Sequence, residues 1–500
     1  MESKVSGLLT EAVAPEIQDH IYGPRLERMF VPCFPYLTEI NQAHVVMLAR
    51  CGIITPDIAR KLATVLLELA RAGPEEFDLD PAREDAYFNY EAKVIEKTGA
   101  DVGGRMHIGR SRNDLQAALD RMRCRDYCLD ILAALNEVRH VALERAATQA
   151  HVVMPGYTHL QPAQPITFGY YLLGIAGAFE RDFGRIAGAY PRMNLNPLGA
   201  GALAGTSFPI DRALTAELLG FSGVLEHGQD AVASRDFAIE LLMGCAGLAL
   251  SWSRLAQDLF VMVSHEFRTL SFPDSVFGTS SMMPQKKNPV VLEHLKGSSG
   301  HVIGALTGAM TAIKGTNFTN TVDGNTEALR YCYEVLADTR AALSIVKLVL
   351  ANAACNEERC RALVEENYST ATDLADLLVR EAGLSFRQAH HLTGLVVRRG
   401  LERGLKSHQI KSGLIREAAR ELFDQELDIP DTDLEHCLDP HEAVASRTGI
   451  GCPAEPEVRR MIEEARRRLG SAVDETNARR DALGMARERL HAESVSLAGQ

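Results

Sequence analysis

Two long stretches of this chain, Arg110–Met154 and Asn325–Ala382, contain neither glycine nor proline. Strands seldom exceed about ten residues, so runs of this length suit extended helices and predict a large helical bundle. Earlier in the chain, Thr55-Pro56 offers an N-cap followed by proline at the first helical position. Ile58, Leu62, Val65, Leu66 and Leu69 then repeat at helical spacing, which predicts an amphipathic helix. The stretch Phe237–Leu270 is apolar on most faces, with Leu241, Leu242, Leu248, Leu250, Leu255, Leu259, Val261 and Val263. Such a helix must be covered on several sides, and burial between subunits would do this. The expected fold class is all-α.

A chain of 500 residues exceeds what one core usually supports. The expected division is an N-terminal helical domain over 1–108, a central helical bundle over 109–364, and a smaller helical domain with a charged tail over 365–500. The tail is rich in Arg, Glu and Ala, a composition that suits a helix or a frayed end. The net charge of −13 argues against a nucleic-acid partner. It does not prevent binding of an anionic substrate, because a cleft can oppose the sign of the whole molecule. Arg110, Arg112, Lys286 and Lys287 are the local cations. The ten cysteines are scattered, and the close pair Cys124 and Cys128 lacks the further ligands of a zinc site. They read as buried thiols in a reducing cytoplasm. The segment Met1-Glu-Ser-Lys-Val5 has no apolar core of signal-peptide length, and no later run is expected to be long and apolar enough to cross a bilayer. A cytoplasmic protein without a membrane partner is the expectation.

Chemistry concentrates in Gly278-Thr-Ser-Ser-Met-Met-Pro-Gln-Lys-Lys-Asn-Pro289. Its left half is small and mobile in character, and Pro284 and Pro289 fix the backbone of its right half. A serine that takes a proton must be held as an alkoxide by backbone N–H groups, an ammonium or a helix N-terminus. A polar surface loop has the same composition. Two further segments separate these readings: Gly104-Arg-Met-His-Ile-Gly-Arg-Ser-Arg-Asn-Asp114 and Met154-Pro-Gly-Tyr-Thr-His-Leu-Gln-Pro-Ala-Gln-Pro165. Together the three segments resemble, in order, the signatures of the fumarase/aspartase superfamily, and the Gln-Lys-Lys-Asn version is similar to that of argininosuccinate lyases. The likeness extends through Pro197–Thr206 and Ala371–Asp376 to Ser446-Arg-Thr448.

This resemblance implies a three-domain all-α fold in a homotetramer with a twenty-helix core, each active site drawing residues from three subunits. The implied reaction removes a proton beside a carboxylate of an N-substituted aspartate and expels an amine, leaving fumarate. The intermediate is an aci-carboxylate, which needs positive charge and donors placed beforehand. By resemblance Ser280 is the base, carried by a loop whose closure excludes water. Ser281 donates to a carboxylate, Lys286 and Asn288 stabilise the intermediate, and Met283 lines the site. His159 and Glu293 correspond to the family's histidine–carboxylate pair, which relays a proton or orients the departing amine. Ser111, Arg112, Asn113, Thr158 and Gln164 match substrate-binding positions. On their own, Arg110 and Arg112 also read as a solvated helix start, and a lone histidine is more often structural. His107, His390 and His391 are read as structural. The glycines around Gly199-Ala-Gly201 lack the strand-turn-helix context of a phosphate loop. No cofactor is expected, since the chemistry needs neither electron transfer nor a carbanion sink.

The likeness weakens around the amine. Where argininosuccinate lyases usually carry histidine, the sequence reads Glu84-Asp85-Ala86-Tyr87. Ile108 and Leu115 replace polar residues around Gly109-Arg-Ser-Arg-Asn-Asp114, and Asn320-Thr-Val-Asp323 replaces Tyr-Asn-Arg-Asp. The family's arginine-binding glutamine and lysine align with Asn325 and Ala328, and its aspartate after Asn-Pro is Val290. An amino-acid carboxylate and a guanidinium would be left unpaired here, at a cost of several kcal/mol. Within the branch the sequence looks most like the ethylenediamine-N,N′-disuccinate (EDDS) lyases, which release fumarate and N-(2-aminoethyl)aspartate. Val290 and Asn320 are read as positions altered to accept a different amine. Release of arginine and fumarate is the alternative reaction, and a crystallin-like structural role is a third reading.

Overall fold

The computed structural model describes residues 11–499. The segment Met1–Val5 lies outside them. Helix α1 (Gly23–Arg50) and helix α2 (Pro56–Ala72) form an antiparallel pair, with α3 (Ala86–Thr98) against them. The start of α2 is the one the sequence predicts: Thr55 Oγ1 accepts the Ile58 N–H, and Leu62, Val65, Leu66 and Leu69 are buried. The first glycine-free run is one helix, α4 (Arg112–Thr148), of 37 residues and therefore about 55 Å long. A hairpin of β1 (Val153–Thr158) and β2 (Gln161–Thr167) follows, then α5 (Phe168–Met193) and α6 (Asp236–Met262). A second, very short hairpin joins β3 (Gly278–Thr279) to β4 (Lys287–Asn288) and leads into α7 (Val290–Ile313).

The second glycine-free run is not continuous. It starts in a π-helical turn at Asp323–Glu327 and continues as α8 (Cys332–Asn352), a short strand at Ala354–Cys355 and a helix at Glu357–Glu366. It ends in α9 (Ala371–Ala382). The break has a distant cause and a local one: Ala354–Cys355 pairs with Leu270–Ser271, and the Asn356 side chain caps the following helix by accepting the Arg359 N–H at 3.2 Å. Asparagine is among the preferred N-cap residues, because its side-chain oxygen accepts one of the first unpaired N–H groups of a helix.

The apolar residues gather in three main cores. One lies among α4–α8, one joins α1–α3 to the start of α4, and one holds α9, α10 (Phe386–Glu402), α11 (Ser412–Phe423) and α12 (Asp431–Leu438) together. The Arg- and Glu-rich tail is helical: α13 (Glu455–Ala498) spans 44 residues and returns along the molecule. Its Ile462 and Leu469 enter the bundle core, and Leu490 enters the N-terminal core.

One expectation is corrected. Helix α6 is long and apolar enough, by length and composition, to cross a membrane. Its Phe237, Leu241, Leu242, Trp252 and Leu259 are buried in the bundle core, where Trp252 Nε1 donates to the Leu295 carbonyl at 3.0 Å. Met243 and Leu250 on the same helix stay exposed in the single chain.

Candidate active site

The signature segment forms the loop of the β3–β4 hairpin, closed where Asn288 Nδ2 donates to the Thr279 carbonyl at 3.2 Å. Inside it, the chain turns back on Ser280, whose Oγ accepts the backbone N–H of Met283 at 3.0 Å and that of Met282 at 3.4 Å. These two amides are donors of the kind that stabilise negative charge on oxygen. Of the two candidate cations, Lys287 is taken by Asp274 at 2.6 Å, and Lys286 has no side-chain partner among the described residues. Ser281, Met283 and Lys286 are exposed. Pro289 precedes α7, so the loop stands at the positive end of a 24-residue helix with Glu293 in its first turn. Val290 lies in the same turn, with its side chain against Gly278. A Cβ on Gly278 would approach it to 2.8 Å.

His159 sits at the tip of the β1–β2 hairpin. Thr158 pairs with Gln161, leaving His159 and Leu160 as the two loop residues, both at φ 55°. Positive φ at both positions is the type I′ geometry that matches strand twist, but it costs about 1–2 kcal/mol for each non-glycine residue. The strained tip presents His159 to solvent. Thr158, His159 and Gln164 line a cavity of about 510 Å³ with Tyr171, Asp258 and Phe267.

Ser111 caps α4, and its neighbour Asp114 completes a capping box. The buried Asp114 carboxylate accepts the N–H groups of Ser111, Gly199 and Gly201 at 2.9 Å each, which gives the glycine loop a structural role. Burial pushes this carboxyl up to about 6, although the three amides pull the other way. Arg112 is not a solvated cation: its Nη1 donates to Glu84 at 2.9 Å and Asp85 at 2.8 Å, and its guanidinium lies 4.1 Å over Phe88. Arg110 is buried, donating to Asn41 Oδ1 at 2.6 Å and to the Tyr87 hydroxyl at 3.2 Å. Tyr87 also meets His107 Nδ1 at 2.7 Å and donates to Glu91 at 3.0 Å. Burial, with Arg110 and Arg112 nearby, brings His107 down to about 4.

A chain of side-chain amides crosses the next cavity. Asn320 Nδ2 donates to Asn113 Oδ1 at 2.8 Å, Asn325 Nδ2 donates to Asn320 Oδ1 at 2.8 Å, and Thr326 donates to Asn325 at 2.7 Å. The cavity, about 190 Å³, is lined by Arg112, Asn113, Asn320 and Asn325 together with Tyr22, Arg25, Glu84 and Asp85. Neither the place of Arg25 in this lining nor the pairing of Arg112 with two carboxylates is visible in the sequence. No motif marks the N-terminal segment, and an ion pair 27 residues apart in sequence leaves no periodic trace.

Within one chain the expected site residues thus form three groups: Ser111, Arg112, Asn113 and Asn320; Thr158, His159 and Gln164; and the Ser280 loop with Val290 and Glu293. No hydrogen bond joins His159 to Glu293 among the described residues. Val290 and Asn320, expected together near the amine, stand in different groups.

Residues 37–304 match the family described as Lyase, and residues 368–445 match the one described as Argininosuccinate lyase C-terminal. Argininosuccinate lyase 1 of Shouchella clausii is 38% identical over 96% of each chain. This chain belongs to the argininosuccinate lyase branch of the fumarase/aspartase superfamily. Argininosuccinate lyase of Methanocaldococcus jannaschii is 37% identical over 90% of this chain and 91% of its own. Among solved structures, EDDS lyase in complex with formate superposes with a TM-score of 0.87 at 33% identity, covering 98% of this chain and 97% of that one. A two-position variant of EDDS lyase with bound fumarate matches equally well. The chain is accordingly a fumarate-releasing carbon–nitrogen lyase acting on small molecules, with the helical three-domain fold of its superfamily.

Proposed function

We propose that this lyase reversibly splits ethylenediamine-N,N′-disuccinate into fumarate and N-(2-aminoethyl)aspartate. The observation that carries this reading is the amine cavity: Asn320, Asn325 and Asn113 satisfy one another as neutral amides, and Ala328, where the branch carries lysine, is 4% exposed and apolar. The lysine that the branch would offer to the α-carboxylate of arginine is therefore missing from this position. The likeness to EDDS lyase over nearly the whole chain supports the same reading.

In this mechanism Ser280, as alkoxide, removes the proton from the carbon beside the distal carboxylate, and the amides of Met282 and Met283 hold its charge. The pair of electrons moves into the carboxylate, giving the doubly charged aci-form. Lys286, Asn288 and the N-terminus of α7 supply the opposing field, and Ser281 donates to a carboxylate oxygen. Collapse expels the amine, with His159 and Glu293 delivering or positioning the proton it needs. The three separate groups of site residues support a site assembled from three subunits of a homotetramer. On α7 the exposed Ile303 and Met310, and Gly300, Gly304 and Gly308 facing open space, fit close packing against other copies.

Argininosuccinate is the second reading, favoured by identities of 34–38% to argininosuccinate lyases. Elimination assays on both substrates, followed by fumarate absorbance, separate the two. Faster release from ethylenediamine-N,N′-disuccinate supports the first reading; release from argininosuccinate alone rejects it.

A further inference from the structure

The amine cavity holds one cation without a job. Arg112 is neutralised by Glu84 and Asp85, but Arg25, which lines the same wall, has no carboxylate partner and no hydrogen bond among the described residues. A half-buried guanidinium left without an acceptor is unusual, because desolvation is normally offset by a carboxylate. Arg25 also borders an adjoining cavity of about 550 Å³ that contains the exposed Arg28. Two guanidiniums one helical turn apart on α1 therefore line this second cavity.

We infer that Arg25 is a specificity-determining residue that binds a carboxylate on the amine half of the substrate. The inference rests on the proposed reading that the Asn320 cavity receives the amine. It also resolves a chemical difficulty in that reading. N-(2-Aminoethyl)aspartate carries two carboxylates of its own, and the position from which the branch would offer lysine is Ala328. Arg25 approaches from a different element and restores the missing charge with a planar, bidentate donor. The preferred amines are then those bearing a carboxylate, and ethylenediamine itself is a poorer partner.

The test uses the full-length enzyme in the addition direction, with fumarate and two matched amine pairs: N-(2-aminoethyl)aspartate against ethylenediamine, and arginine against agmatine. Within each pair the ratio of kcat/KM for the carboxylate-bearing over the carboxylate-free amine is compared between wild type and Arg25→Gln. A charge-assisted hydrogen bond is worth about 1.5–3 kcal/mol, so the ratio should fall about ten- to a hundred-fold, chiefly through KM of the amine. Arg25→Lys should recover part of the loss. Calorimetric binding of N-(2-aminoethyl)aspartate to the same variants gives a second readout independent of turnover. An equal fall for both members of a pair, or affinity unchanged by Arg25→Gln, overturns the inference. Wild-type turnover confined to arginine and agmatine would reject the disuccinate reading, and the ratio within that pair would still judge Arg25.

Discussion

Ser280 Oγ accepts the backbone N–H of Met283 at 3.0 Å, so the base proposed for this lyase is held by its own loop. Among the described residues its hydroxyl bonds only within three positions, so removing it breaks no contact outside the turn there. Ser280→Ala should lower kcat by at least about 10²–10⁴-fold, the range for a lost general base, with thermal unfolding within a degree or two of wild type. Fumarate absorbance measures the first and calorimetry the second. Activity within ten-fold of wild type would remove Ser280 from the mechanism.

The two adjacent lysines should behave very differently. Lys287 forms an exposed pair with Asp274, a contact worth at most about 1 kcal/mol, so Lys287→Ala should leave kcat within a few-fold. Lys286 is the uncommitted cation, and Lys286→Ala should cost about 10²–10³ in kcat, the loss expected when a stabilising donor leaves the transition state. Similar kcat values for the two variants would contradict their assigned roles.

His159 and Ser280 stand on separate hairpins of one chain. If active sites are completed by other subunits, His159→Ala and Ser280→Ala are each inactive alone. Mixed and reassembled, they should regain measurable activity, because some sites then draw both intact residues from different chains. A mixture as inactive as its components would argue that each site is built within one chain.

Acid should weaken the N-terminal core through its histidines. Burial lowers the pKa of His44 well below its ordinary value, and burial with Arg110 and Arg112 brings His107 to about 4. Both groups stay neutral in the folded chain and take up protons on unfolding below about pH 6.5, the free histidine value. Their contribution is complete above that pH and is lost as pH falls towards 4. The urea midpoint of wild type should therefore drop between pH 7 and pH 5 more steeply than that of His107→Gln. Parallel profiles would contradict the lowered pKa.

Much of this could be seen in the sequence because it is local. The Thr55-Pro56 cap, the unbroken α4 and the β3–β4 signature loop each depend on residues a few positions apart. What stayed hidden depends on distance. The second glycine-free run breaks because Ala354–Cys355 finds a strand partner at Leu270–Ser271, and no local propensity shows that. Arg112 looks like a free substrate ligand until the fold brings it Glu84 and Asp85. The tail's charge pattern concealed how far α13 runs, because its sparse apolar residues meet two different cores. Asn113 and Asn320 are 207 positions apart, and only the folded chain shows that they and Asn325 form a line of hydrogen-bonded amides.

The most direct measurement is a competition. Purified enzyme receives fumarate with equal concentrations of N-(2-aminoethyl)aspartate and arginine, and mass spectrometry reads the product ratio at early times. The proposed amine cavity predicts that ethylenediamine-N,N′-disuccinate is the dominant adduct. A dominant argininosuccinate signal would contradict it and make the amide-lined cavity an arginine site.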